Sequence, residues 1–243
     1  MILPKIHLYG CEIVKEFKIE AIGHIENDFK EKFGIPRQSG MVNSLISKIV
    51  FEKKYQDADA FRGIEGYSHL WILWIFSENA DKGWSPTVRP PKLGGNIRRG
   101  VFATRSPFRP NTIGLSAVEL VKFDLDACGK PVLYVKGADL MNNTPIIDIK
   151  PYIPYADCIS GASGGFSVPK SEDKLSVSFD SGIIDIIPSE KQEPLVEILS
   201  HNPAPAYQDD SGRIYRMRYG EFEVSFKTDG EALEVTNIKH IGE

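Results

Sequence analysis

The stretch GVFATRSPFRPNTIGLSAVELVKF, residues 100–123, carries the pattern that decides the fold class. Two short apolar runs, at 100–104 and 116–123, are separated by an interval rich in Pro, Asn and Gly. Neither run places apolar residues at the three- to four-residue spacing of an amphipathic helix. The stretch therefore predicts two β-strands joined by a loop.

The same pattern extends to both sides of this stretch. Further strand-like runs lie at 17–25, 48–51, 70–76 and 131–135, and residues 57–63 have the composition of one helical turn. Many short strands without long helices between them predict a mainly β fold, either an antiparallel barrel or a sandwich. A parallel α/β sheet is disfavoured, because its crossover helices are missing from the pattern.

The last third of the chain has a different composition. Residues 160–174, SGASGGFSVPKSEDK, are small and polar and predict a linker. Beyond it we expect strands at 175–179, 183–187, 213–218, 222–226 and 233–238, a hairpin turn at 228–230, and one short helix with Pro194 in its first turn. We predict a barrel or sandwich domain at 1–160, a linker at 161–174 and a small α+β domain at 175–243.

The formal net charge of −4 hides a strongly basic segment. Residues 82–118 contain no Asp or Glu but seven cations, and subtracting these from −4 leaves −11 on the rest of the chain. Arginine predominates among them, and its planar guanidinium suits paired contacts to anions. The alternative is a basic surface without function. We predict that the segment faces an anionic partner. The cations are Lys82, Arg89, Lys92, Arg98, Arg99, Arg105 and Arg109.

Several kinds of site are missing from the sequence. It contains no GxGxxG or Walker motif for a nucleotide, and no GxSxG motif for acyl transfer. The five histidines lack the spacing of metal ligands, so no metal site is predicted. Paired carboxylates of the glycosidase type stay open, because spacing alone does not show which carboxylates face each other. Three scattered cysteines, with neither a secretion signal nor an apolar run long enough for a membrane, favour a cytoplasmic protein.

Two short motifs have stiff backbones that display polar groups. In GIPRQSG, residues 34–40, proline and two glycines shape a turn that carries Arg37 and Gln38 at its tip. A purely structural turn is an equal alternative for that motif. Residues 142–145, NNTP, form a second predicted turn whose amides and hydroxyl suit the polar edge of a ligand. Asp139 and Asp148 flank it, and for Asp148 we favour the role of a structural hydrogen-bond acceptor.

Four segments give the chain a strong family resemblance. EKFGIPRQSG, FRGIEGYSHLWIL, GWSPTVRPPKLGGNIRRGVFATRSPFRPNTIG and TPIIDIKPYIPYAD resemble the TrmO (YaeB-like) tRNA methyltransferases. The likeness continues more weakly through HNPAPAY and GRIYRMRYGEFEVSF. It implies an antiparallel β-barrel that binds S-adenosylmethionine, a small C-terminal domain and a homodimer. The implied reaction is methylation of N6 of threonylcarbamoyladenosine at position 37 of tRNA.

The resemblance also assigns residues by motif position. It implies cofactor contacts from Pro36, Arg37, Gln38, Arg105, Leu115, Thr144 and Pro145. Where the family often has His-Gln this chain has Ser77 and Glu78, and where it often has Asp-Gly this chain has Asn142 and Asn143. We include these four in the predicted cofactor set. Five of the other six cations in the basic segment are the predicted tRNA contacts, namely Arg89, Lys92, Arg98, Arg99 and Arg109.

The catalytic chemistry is less defined than the binding. The cofactor supplies the electrophilic methyl group, so the protein chiefly aligns the reactants. The amide-like N6 must lose a proton, and the candidate bases are Asp139, Asp148 and Glu78, unless water suffices. Two other functions stay open: a non-catalytic RNA-binding module, and a methyltransferase that acts on a small molecule.

Overall fold

The computed structural model describes residues 6–8, 11–13, 17–167, 174–180, 182–204 and 212–242. Its first strands, through the middle of the chain, are β1 (Ile6–Leu8), β2 (Cys11–Ile13), β3 (Gly23–Glu26), β4 (Ile46–Phe51), β5 (His69–Ile75), β6 (Thr87–Val88), β7 (Arg99–Gly100), β8 (Ile113–Leu125), β9 (Pro131–Lys136) and β10 (Pro145–Pro151). The later strands are β11 (Ser176–Phe179), β12 (Tyr215–Tyr219), β13 (Phe222–Thr228) and β14 (Ala232–His240). The α-helices are α1 (Pro154–Asp157) and α2 (Ser189–Ser200).

Six strands close into an antiparallel barrel in the order β10, β3, β4, β9, β8, β5. Alternate residues of these strands point inward, as along β5, where Leu70, Ile72 and Trp74 are buried. They pack with Ile25, Ile49 and other apolar side chains into a first hydrophobic core, which we call the barrel core. The mainly β prediction is confirmed, and of the two architectures left open by strand pattern the barrel is correct.

A second sheet lies in the C-terminal part of the chain, in the order β11, β14, β13, β12. Its strands pair antiparallel except β11 with β14, which run parallel. Helix α2 buries Leu195, Ile198 and Leu199 in a second core, the C-terminal core. This core also contains Phe29, Val42 and Leu45, which come from far earlier in the sequence. The segment 28–45 is therefore packed with the C-terminal sheet.

The strand predicted at 100–104 is wrong. Residues Val101–Ala103 form a 3-10 turn, and only Arg99–Gly100 pairs with Thr87–Val88. The carbonyl of Val101 accepts hydrogen bonds from the Thr104 backbone and hydroxyl and from the Arg109 guanidinium. Because this carbonyl already accepts these local hydrogen bonds, it is not available to pair with a neighbouring strand.

Three other sequence-based predictions also need correction. The apolar run at 183–187 is a 3-10 turn, Ile183–Ile186, which follows Gly182 with a φ of 78°. Helix α2 begins at Ser189, so Pro194 lies inside it and not in its first turn. Burial of the apolar face offsets the backbone hydrogen bond that Pro194 cannot donate. Strand β3 begins only at Gly23, and Phe17, which precedes it, is exposed.

The predicted linker is described only in part, because residues 168–173 lie outside the described ranges. Within those ranges, Gly165–Ser167 forms a 3-10 turn. No helix among the described residues has the length and apolarity needed to cross a membrane.

Candidate functional site

A cleft of about 370 Å³ opens at the barrel surface, and we call it the arginine cleft. Its volume falls within the range of roughly 300–1,000 Å³ that is usual for small-molecule sites. Cations, one carboxylate and an apolar wall line it: Pro36, Arg37, Gln38, Trp74, Phe76, Thr104, Arg105, Arg109, Ile113, Leu115 and Asp139. Five of the predicted cofactor residues thus meet in one place, although they come from three separate segments.

The loop that carries Arg37 and Gln38 is held between the two cores. Gly34, at a φ of 94°, lies against the Met217 sulfur of the C-terminal core, and an added Cβ would approach it to 3.2 Å. At the other end of the loop, the Gly40 amide donates to the Gly137 carbonyl of the barrel at 2.9 Å. Both glycines have positive φ, which permits the sharp entry and exit of the loop.

Hydrogen bonds fix the guanidinium groups of this cleft. Arg105 Nη1 donates to Gln38 Oε1 at 2.7 Å, joining two predicted cofactor residues directly. Arg37 Nη2 donates to the carbonyl oxygens of Asn202 and Ala204 at 3.4 and 3.2 Å. Arg109 Nη1 donates to carbonyls inside its own loop, including that of Thr104 at 2.7 Å. Arg37 and Arg105 are solvent-exposed and so are accessible to an anionic ligand.

A buried hydrogen-bond chain supports the carboxylate in the cleft. Trp74 Nε1 donates to Ser116 Oγ at 3.0 Å, and Ser116 Oγ donates to Asp139 Oδ1 at 2.5 Å. Burial raises the pKa of the Asp139 carboxyl above its ordinary value, while the Ser116 hydroxyl and the Arg105 charge act in the opposite direction.

A second cleft of about 540 Å³ lies where the barrel meets the C-terminal sheet, and we call it the junction cleft. The predicted cofactor residues Ser77, Glu78, Asn142 and Asn143 line it, together with Asp28, Lys30, Met141, Lys191, Arg218, Gly220, Glu221 and Gly242. Two chain segments, 74–78 and 139–143, contribute lining residues to both clefts. No described residue lines both clefts, and the predicted cofactor set is divided between them.

The predicted turn at 142–145 exists, but its polar groups are used within the protein. The amides of Asn142 and Asn143 donate to the Phe29 and Ile25 carbonyls, both at 2.8 Å, and Asn143 has a φ of 63°. Thr144 is buried, with 5% of its surface exposed, and it lines neither cleft. Pro145 begins β10 and likewise lines neither. The backbone amides of Asn142 and Asn143 therefore bind segment 25–29. The prediction that the amides of this turn bind a ligand is wrong for these two.

The other predicted tRNA contacts lie between β6 and β8, on the chain segment that also carries Arg105 and Arg109. Arg89, Lys92, Arg98 and Arg99 are all exposed. Arg98 donates to the Thr87 hydroxyl at 2.9 Å, and the Arg109 guanidinium lies 5.7 Å from the Phe102 ring centre. Trp84 and Phe102 are exposed among these cations. The surface thus combines positive charge with accessible aromatic rings.

Sequence reasoning did not assign the apolar wall of the arginine cleft. Trp74, Phe76 and Ile113 belong to runs that look like ordinary strand interior. Trp74 is buried, with 8% exposed, yet it also lines the cleft. A strand residue at the open end of a barrel can do both, but strand spacing gives no sign of where the barrel opens. Among the described residues, no cluster of three or more His, Cys, Asp or Glu is arranged to hold a metal ion.

Two family models match the chain. One, described as the tRNA-methyltransferase O N-terminal domain, matches residues 24–158, and the TrmO C-terminal domain matches residues 172–241. The first match includes both lining segments shared by the two clefts, and the second includes the C-terminal sheet.

Individual relatives agree with these matches. The chain is 40% identical over 232 residues to the tRNA (adenine(37)-N6)-methyltransferase of Escherichia coli (strain K12), which covers 91% of this chain and 97% of that protein. It is 36% identical over 147 residues to an S-adenosyl-L-methionine-binding protein of Archaeoglobus fulgidus, covering 60% of this chain and 96% of that protein. A solved structure of TrmO from Pseudomonas aeruginosa has a TM-score of 0.75 and 28% identity, with 92% of this chain and 98% of that chain covered.

Proposed function

This chain belongs to the TrmO family, and from that membership we propose that it transfers a methyl group from S-adenosylmethionine to N6 of the adenine at position 37 of tRNA. One observation carries the proposal: four predicted cofactor residues line one cleft of the barrel, namely Arg37, Gln38, Arg105 and Leu115. The relative in Escherichia coli is named as a tRNA (adenine(37)-N6)-methyltransferase. We take the substituted base, threonylcarbamoyladenosine, as the substrate.

The side chains of the arginine cleft fit this cofactor chemically. Its amino-acid end carries a carboxylate, for which the exposed guanidiniums of Arg37 and Arg105 are suitable partners. Its sulfonium and adenine can pack against the parts of the Trp74 and Phe76 rings that line the cleft, because cations and flat rings both favour aromatic surfaces. When bound, the cofactor supplies the electrophilic methyl group. Ser77, Glu78, Asn142 and Asn143 would meet any part of it that reaches into the junction cleft.

The exposed basic loop suits the other substrate. Arg89, Lys92, Arg98 and Arg99 lie outside the arginine cleft and can contact phosphates, which give affinity without sequence preference. Exposed aromatic rings such as Trp84 and Phe102 suit the unstacked bases of an RNA loop. Arg109 lines the cleft itself and is proposed to contact tRNA nearest to the reacting base.

The protein's own contribution is mainly alignment. The loop at 34–40 and the turn at 101–104 are both fixed by hydrogen bonds, so the cations that bind ligand are held in place before binding. Preorganised groups of this kind lower the entropy cost of bringing donor and acceptor into line. A threonylcarbamoyl substituent adds a carboxylate that a neighbouring arginine can bind.

The test is methylation of tRNA by the purified protein, followed by nucleoside mass spectrometry. We expect one added methyl group on the modified adenosine, dependent on S-adenosylmethionine and decreasing steeply with salt. Binding of tRNA without methylation, and without heat from millimolar cofactor in calorimetry, would instead support an RNA-binding module. Methylation of free adenosine derivatives that does not change with salt would support a small-molecule methyltransferase.

Three further features belong to the same proposal. We assign the cofactor-binding barrel to residues 1–160, the linker to 161–174 and the C-terminal α+β domain to 175–243, with segment 28–45 packed on the last. We propose a homodimer, which exposed apolar side chains outside the basic loop, such as Phe17 and Ile19, would favour. A cytoplasmic location accords with a tRNA substrate. Light scattering of the purified chain measures its oligomeric state.

A further inference from the structure

The carboxylate of Asp139 has a setting that binding of the cofactor does not explain. It follows strand β9 and is the one carboxylate among the residues that line the arginine cleft. The charged groups that line the cleft with it are Arg37, Arg105 and Arg109. A single acid thus lines the same cleft as three cations.

Hydrogen bonds from Trp74 through Ser116 set the orientation of the Asp139 carboxylate. Ser116 has one hydroxyl proton, which it donates to Asp139, and it accepts the Trp74 indole proton in turn. Since the indole can only donate, the direction of the chain is fixed and ends on Oδ1. Oδ1 is therefore anchored, while the carboxylate as a whole still reaches the cleft.

The other two candidate bases lie in different surroundings. Asp148 is on the barrel wall, where its side chain is 44% exposed and pairs with Lys150 at 2.8 Å, and it lines neither cleft. Glu78 lines the junction cleft, apart from Arg37 and Arg105. Only Asp139 shares a cleft with the predicted carboxylate-binding arginines.

We propose that Asp139 is the catalytic base that accepts the N6 proton during methyl transfer, with Ser116 as the residue that positions it. This proposal rests on the function proposed above. N6 forms a bond to the methyl carbon as the bond from that carbon to sulfur breaks, and the pair of electrons of the broken bond stays on sulfur. The N6 proton passes to the Asp139 carboxylate, which later releases it to water.

The electrostatics of the site favour this role. Burial raises the pKa of Asp139, so its carboxylate is a stronger base than that of an exposed Asp. The charge of Arg105 lowers this pKa, but the effect of burial is larger. General bases of this kind typically contribute about 10²–10⁴-fold to a rate. A nitrogen conjugated to a carbonyl is a weak nucleophile until its proton leaves, so the demand for a base is high here.

The experiment compares Asp139→Asn with Asp148→Asn, a second Asp to Asn change in the same barrel. We expect Asp139→Asn to lower kcat by roughly 100-fold or more, with the Kd for S-adenosylmethionine and the Tm close to wild type. Asp148→Asn should leave kcat within about 2-fold. Ser116→Ala should reduce kcat less than Asp139→Asn does, and Asp139→Glu should recover part of the rate.

Two measurements distinguish a catalytic base at Asp139 from a carboxylate with only a structural role. The wild-type rate should increase with pH to a plateau, and Asp139→Asn should lose that inflection. Carbon NMR of the carboxyl groups should show Asp139 titrating above the usual Asp range in the cofactor-free protein. If Asp139→Asn keeps the wild-type kcat, or loses only cofactor affinity, the assignment is overturned. If the wild-type chain itself fails to methylate tRNA, the proposed function fails instead.

Discussion

The two hydrophobic cores differ in how the chain builds them. The barrel core is closed by six strands and filled by alternate residues of those strands. The C-terminal core is completed by Phe29, Val42 and Leu45, which the chain places more than a hundred residues before the sheet they pack on. The arginine cleft takes Arg105 and Leu115 from the barrel side. Its loop with Arg37 and Gln38 is tied to the C-terminal side.

The contacts across this division are specific. Glu197 on α2 accepts hydrogen bonds at Oε2 from the Asn43 amide, the Ser44 amide and the Ser44 hydroxyl, at 2.9, 2.9 and 2.6 Å. Arg37 is held by carbonyls of the turn that follows the same helix. The arginine cleft therefore belongs to neither core alone. A substitution in the barrel core should change the arginine cleft through Arg105 and Leu115. A substitution in the C-terminal core should change it through Arg37 and Gln38.

The largest effect is expected from Gly114→Ala on the barrel side. A Cβ at this position of β8 would lie 2.3 Å from the Trp74 ring, so the indole must move and the chain to Asp139 is broken. Overpacking of this kind costs roughly 1–3 kcal/mol, and we expect about 3 because the contact is with a rigid ring. Urea unfolding measures this loss. Gly66→Ala is the matched control, since an added Cβ there meets nothing within 4 Å. Equal stability of the two variants would contradict the close packing of Trp74.

Arg105→Ala tests the point where the two sides meet. It removes the hydrogen bond to Gln38 and one of the cations proposed for the cofactor carboxylate. A hydrogen bond to a charged group contributes about 1.5–3 kcal/mol, so calorimetry should show affinity for S-adenosylmethionine reduced by roughly 10- to 100-fold. The melting temperature should stay near wild type, because Arg105 is exposed. Arg62→Ala is the control, because Arg62 lines neither cleft and forms an exposed pair with Asp59. An unchanged Kd would remove Arg105 from the cofactor site.

Glu197→Gln tests the C-terminal side and should have the smallest effect, about 1 kcal/mol of unfolding free energy. Burial acts to raise the pKa of Glu197, but hydrogen bonds from Ser44 and Asn43 and the charge of Lys174 outweigh it and lower the pKa below 4.5. Since the folded-state pKa is the lower one, this stability is present above about pH 4.5 and is lost as the pH falls through the folded-state value.

The pH dependence provides the check on that prediction. The difference between wild type and Glu197→Gln should therefore shrink in acid, as measured by denaturant unfolding at several pH values. Glu193→Gln, an exposed change on the same helix, should show no such dependence. If Glu197→Gln also weakens cofactor binding, the C-terminal side supports the cleft as the contacts indicate. A pH-independent difference would show that the carboxylate charge is not involved.

Local pattern predicted most strands but failed where side chains replace the strand ladder. At 101–104 the Arg109 guanidinium and the Thr104 hydroxyl bind backbone carbonyls that the apolar sequence alone would assign to a sheet. At 183–187 an apolar run packs as a 3-10 turn, whose carbonyls at Ile184 and Ile187 accept from Gln192 on α2. In both segments a side chain from outside the run, Arg109 in the first and Gln192 in the second, also donates hydrogen bonds to backbone carbonyls of the run.

The sequence by itself determined the mainly β class, the basic segment and the family, because alternation, charge and long motifs are local properties of the chain. It also placed Pro36, Arg37, Gln38, Arg105 and Leu115 in one predicted set, and they do share a cleft. Only the tertiary structure showed that other predicted cofactor residues lie elsewhere. Ser77 and Asn142 line the junction cleft, and Thr144 is buried. The closure of the barrel and the packing of segment 28–45 on a distant sheet decide which side chains face the same space, and strand periodicity contains no information about either.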